Sequence, residues 1–153
     1  MAGKKATATD AEIVFRLYEM RREAEMRKAR NFINFQFKPE SVDDVIRLST
    51  AMGTQENAWA RQVLSYWEDA ASLVLRGVVE PGLFFDWNGE MIFVYNKLRP
   101  FLKEMRERMN NPDFFSKVEK AISGHPEAKK RLDGMAKRMA AMMAAGAAIA
   151  GKP

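Results

Sequence analysis

Glu68 closes the stretch WARQVLSYWE, directly after Trp67 and nine residues after a second indole ring, Trp59. A carboxylate held beside aromatic rings and partly out of water has its pKa raised, which is how proteins prepare a general acid or base. The same residue at the edge of an apolar helix face is also an ordinary boundary glutamate, its head in water or on an arginine. Trp87, Tyr95 and Arg106 complete the set that could line a pocket or form a buried polar pair with Glu68. Arg106 is the cation placed to meet Glu68 across two packed helices, where such a pair fixes which helices are neighbours more than it adds stability.

Other chemistry is excluded by residue type. The single histidine, His125, sits in Ser-Gly-His-Pro with no glutamate three residues before it. That removes the Glu-x-x-His half of a di-iron bundle site. It also removes Ser-His-Asp hydrolysis, since no G-x-S-x-G elbow is present. DWNGE (86–90) begins like a calcium loop, but Met91 and Lys97 stand where glycine and a bidentate glutamate are needed. The glycines are isolated, so no phosphate cradle exists. With no cysteine, thiolate metal sites, disulfides and cysteine nucleophiles are excluded together. No cofactor and no metal are expected.

Two basic groups remain. Arg21, Arg22, Arg27, Lys28 and Arg30 fall on the first helix among glutamates, the pattern of a solvated ion-pair face. Lys129, Lys130, Arg131, Lys137 and Arg138 on the last helix are less compensated and form the candidate basic patch for weak nucleic-acid binding, a minor alternative. Net charge runs +4 over residues 1–38, −6 over 39–90 and +7 over 91–153.

The elements that position these residues all read as helices. Thr9 to Glu12 fits a capping box, and apolar spacing carries one helix from there to about Phe35, with Glu12–Arg16 and Glu23–Arg27 as i,i+4 pairs. Pro39 ends it, and Ser41 caps a short helix stopped by Gly53. Thr54 starts the third helix and Gly77 closes it; Pro81 opens a fourth, ending at Trp87. Glu90 to Met109 carries one apolar stripe interrupted by Pro100, where a kink is expected. Asn111 and Pro112 start a sixth helix, and the last begins near Pro126. On a helical wheel the apolar residues of Trp59 to Arg76 span about 200°, roughly twice a surface stripe, which predicts a central helix with tryptophans in the core.

The run YWEDAASLVLRGVV (66–79), followed by Tyr95, Leu98, Pro100, Leu102 and Arg106, resembles a bacterial family of small all-helical proteins catalogued as a domain of unknown function. The arginine-rich MRREAEMRKARNF (20–32) fits that resemblance, which covers about residues 12 to 122. It implies an α-helical fold, no established activity, and Trp67, Glu68, Gly77, Tyr95, Pro100 and Arg106 as family-like positions.

The sequence therefore predicts an all-α, single-domain irregular bundle of six to seven helices. A flexible N-terminus (1–8) precedes the helical domain (9–125), and a C-terminal helix with an Ala/Met-rich tail follows (126–153). The N-terminus is not a signal peptide, no stretch is long enough to span a bilayer, and a cytoplasmic location is expected. The function read from this is a non-enzymatic interaction or scaffold module, with self-association or a protein partner docking through the Met/Ala helix. The alternative is a small-molecule or enzymatic pocket at Glu68.

Overall fold

Asp10 decides where the first helix begins. In the computed structural model, which describes residues 3–152, α1 spans Ala8–Arg22 and its N-cap is Thr7, two residues before the expected Thr9. The Asp10 carboxylate accepts from the Thr7 amide (2.8 Å) and hydroxyl (2.7 Å), and Thr7 Oγ1 accepts from the Asp10 amide. Asp10 also accepts from the Glu80 amide (2.9 Å) and from Lys4 (3.2 Å). A box built on Asp10, which also ties the N-terminus to a distant loop, prevails over one built on Glu12. Of the segments expected to be flexible or tail-like, residues 1, 2 and 153 lie outside the described residues.

The first helix does not run to Phe35. Glu23 takes ψ 143°, and its carboxylate accepts from the Met26 amide (2.9 Å), so it caps a new helix, α2 (Ala24–Asn31). A π-helical turn, Phe32–Gln36, follows. The Lys97 ammonium closes that turn, donating to the carbonyls of Ile33 (2.6 Å), Asn34 (2.9 Å) and Phe37 (2.9 Å). Burial, with the Lys38 charge nearby, pushes Lys97 down to about 8. The expected i,i+4 pairs are replaced by Arg16–Glu19 and Lys28–Glu25.

Ser41 and Thr54 cap α3 (Val42–Thr50) and α4 (Gln55–Leu75) as expected. Gly77, at φ 69°, takes the left-handed turn after α4 that a side chain would resist. Pro81 opens α5 (Pro81–Trp87), and α6 (Gly89–Arg108) runs through Pro100 without ending. The sixth expected helix is corrected: Pro112 to Phe115 form a turn, and α7 spans Ser116–Ser123. Its N-cap is Phe115 at φ 55°, which is costly for a bulky residue and is held by burial of its ring. His125 caps α8 (Pro126–Ala150), its Nδ1 accepting from the Ala128 amide.

The class is all-α, with eight α-helices rather than six or seven among the described residues. No helix there is long and apolar enough to cross a membrane. The hub is α4, packed on α2, α3 and α7. Trp67, Val63 and Ala71 are fully enclosed, while Leu75 is exposed, so the buried arc is narrower than the wheel implies.

The Thr7 hydroxyl and the amides of Thr7 and Glu80 hold the Asp10 carboxyl down to about 2, against 3.8 for a free aspartate. Its contribution to stability is therefore complete above pH 3.8 and disappears as pH falls through about 2. Asp10→Asn should remove that acid-labile component, seen as a flatter urea midpoint between those pH values than in the parent chain.

Candidate functional site

Glu68 sits on α4 facing the start of α7. Helix N-termini carry amides without intrahelical partners, usually met by a side-chain oxygen of the N-cap residue. Phe115 has no such oxygen. Glu68 Oε1 instead accepts from the Val118 amide (2.9 Å), and Oε2 lies 3.7 Å from the Lys117 ammonium. Glu68 is thus the cap of another helix, placed where a negative charge is favoured.

Arg106 does not pair with Glu68. It donates from Nε to the Phe114 carbonyl (2.9 Å) and from Nη2 to Glu119 (2.5 Å). Tyr95 lies against Phe115, ring centroids 6.5 Å apart, and burial raises its pKa. So Glu68, Tyr95 and Arg106 converge on residues 114–119, and the expected direct pair is replaced by two contacts to one segment. The geometric reason is the turn 112–115, whose Phe114 carbonyl takes the Arg106 Nε–H.

Trp67 and Trp87 lie elsewhere. The Trp67 ring faces the Arg21 guanidinium at 5.5 Å, and its indole N–H has no acceptor among the described residues. Trp87 is half exposed and packs edge-on against Phe15 (5.1 Å) and Tyr18 (5.9 Å). Between them is an element the sequence reading missed. Arg21 is 6% exposed and donates to Asn88 Oδ1, to the Trp87 carbonyl (3.2 Å) and to the Tyr66 hydroxyl (3.4 Å). No carboxylate lies within ion-pair distance of it among the described residues; neutral oxygens and the faces of Trp67 and Tyr18 hold the charge. Arg30 adds a forked pair with Glu90 (2.9 and 2.5 Å) and donates to the Arg21 carbonyl (3.0 Å). Arg21 and Arg30 therefore clamp α1 and α2 to the α5–α6 junction. The signal was present as arginines on the apolar side of their helices, hidden by the glutamates around them.

Two depressions flank α4. One, of about 540 Å³, opens beside Glu68, with Arg61, Ser65, Asp69 and Asp113 at its mouth and Phe114 as a wall. Asn57, fully buried and donating to the carbonyls of Leu48 and Ser49, accepts from Arg61 Nε (3.1 Å) and so aims that arginine. The other, of about 820 Å³, lies between α1 and α4. In the basic patch, Arg131 donates to the Phe85 carbonyl (2.8 Å) and reaches Asp86 (3.3 Å), and Arg138 donates to the Arg131 carbonyl (2.5 Å). Lys129, Lys130 and Lys137 face solvent.

A family described as a domain of unknown function (DUF4760) matches residues 6–124. The chain belongs to this family. The match starts just before the Thr7 cap and ends with α7, so every contact around Glu68, Arg21 and Arg106 falls inside it and α8 falls outside. No curated protein and no solved structure gives a significant match.

Glu68→Leu leaves the α7 amide without its acceptor and should cost about 1–2 kcal/mol, while Glu68→Gln, still an acceptor, should cost less than half of that. Chemical denaturation of the two variants measures the difference. No loss of stability in Glu68→Leu would mean that the cap contributes nothing.

Proposed function

We propose that this chain is a protein-interaction module that presents its C-terminal helix as the docking element. The observation that carries the reading is on α8. From Ala136 to Ala150 the helix is exposed throughout, and Met142, Met143 and Ile149 are 73%, 74% and 73% accessible. The stretch Met139–Ala150 holds no charge. Alanine and methionine favour helix strongly, so the segment keeps its shape without packing support. Methionine side chains adapt to varied surfaces, and a long uncharged apolar stripe in water is the mark of a contact surface. The family domain then acts as the rigid base and α8 as the arm.

A photoreactive residue at position 143 in the full chain, expressed in its native cells, should give covalent protein adducts. The same probe at Lys130, on the charged part of α8, should give few. Absence of adducts at 143 would refute the docking-helix reading.

The cleft beside Glu68 supports a second reading, a small polar ligand bound at its mouth by the oriented Arg61. In its favour is the buried Asn57, whose three hydrogen bonds hold an exposed arginine in place. Native mass spectrometry of freshly isolated protein should then show a retained small molecule that is lost in Arg61→Ala. Identical spectra of parent and variant would remove this reading.

A further inference from the structure

Two apolar surfaces of the chain stand uncovered, one convex and one concave. Positions three, four and seven apart share a face of a helix. On α8, Ala128, Leu132 and Met135 share one face and rest on the core. The same face continues as Met139, Met142, Met143, Gly146 and Ile149. At the root of this stretch the Asn96 amide approaches the Met139 sulfur at 3.9 Å. Beyond that point the supporting body runs out while the stripe goes on.

The concave surface is the groove of about 820 Å³ between α1 and α4. Leu17, Met20, Met26 and Leu73 line it, with Arg16, Glu23 and Asp69 on its rim. It exists because the chain breaks at Glu23. The break lets α2 pack on α4 while α1 turns to α5, and the wedge left between α1 and α4 stays unfilled.

We propose that α8 of a second copy of this chain occupies the α1–α4 groove, so that two copies exchange their C-terminal helices in a symmetric dimer. The proposal rests on the reading of α8 as a docking helix and names its partner. The dimensions agree: the 12 uncharged residues 139–150 make a helix of about 18 Å, and the 15 residues of α1 one of about 22 Å. The alanines between the methionines keep the arm thin, and nothing crowds the position of a Cβ at Gly146, so a groove wall can approach the backbone there. Charge agrees as well. Lys137 and Arg138 immediately precede the uncharged stretch, and the rim carries Glu23 and Asp69 against one arginine, Arg16, which pairs with Glu19.

The area is also adequate. Half the side of a cylinder about 18 Å long and 10 Å wide is roughly 280 Å². Counting both faces of two reciprocal contacts gives roughly 1,100 Å², past the threshold near 1,000 Å² for a specific interface. Pairing α8 with α8 of the second copy would cover the stripes but leave both grooves open, whereas exchange covers both surfaces, with the self-complementarity that a two-fold axis requires.

The absence of cysteine makes the test direct. Met20 and Met143 are both exposed, so substitutions there spare the core, and an unchanged helical circular-dichroism signal verifies it. Light scattering over a dilution series should show a dimer whose dissociation constant rises tenfold or more in Met143→Lys and in Met20→Lys. Oxidising a mixture of Met143→Cys and Met20→Cys chains should give mainly the mixed cross-link. A monomer at all concentrations overturns the proposal. So does a dimer indifferent to Met20→Lys, a cross-link only between two 143 positions, or a cross-link formed within a single doubly substituted chain. A monomer whose photoprobe at 143 still captures another protein refutes the exchange and leaves the docking-helix reading standing. A monomer without adducts refutes both.

Discussion

Enclosing Trp67 is the constraint on which the rest of the fold depends. The side chain is fully buried on α4, and a ring of that size needs neighbours on several sides at once. Packing around α4 by α2, α3 and α7 supplies them, and the small residues Ala60, Ala70 and Ala71 on the same helix let those neighbours come close. One polar cost is accepted there, since the indole N–H finds no acceptor among the described residues. The guanidinium of Arg21 against the ring face offsets part of it.

Charged side chains act as clips on this hub rather than as surface decoration. Asp10 ties the N-terminus to the loop before α5. Arg21 and Arg30 clamp the first two helices to the α5–α6 junction. Lys97 closes the π-helical turn, and Glu68 and Arg106 fix the start of α7. Most of these contacts are made to backbone amides and carbonyls, where a charged group satisfies a helix end that local sequence leaves open. The family match covers this clipped body and stops before α8, which separates a base held in place on many sides from an arm held only at its root.

That division explains what was legible in the sequence. Helix starts at Ser41, Thr54, Pro81 and Pro126 were readable because their caps are local, and α4 was readable as the hub because its apolar arc is wide. The break at Glu23 was hidden, because glutamate is a poor cap signal and the helical spacing persists on both sides of it. Phe115 at positive φ could not be foreseen, since only tertiary burial justifies it. From that one residue follow both errors at the candidate site: the late start of α7 and the use of Glu68 for a backbone amide instead of Arg106. Trp87 was grouped with Glu68 on residue type alone, and α5 carries it to the α1 side of the molecule.

Native-state hydrogen exchange tests the central claim, that α4 is the enclosed hub and α1 one wall of an open groove, most directly. The account predicts that amides of Ala60 to Ala71 exchange only through global unfolding, with the largest protection in the chain, and that α1 amides open at lower free energy. Sub-global exchange of the α4 amides, at or below the protection of α1, would contradict it.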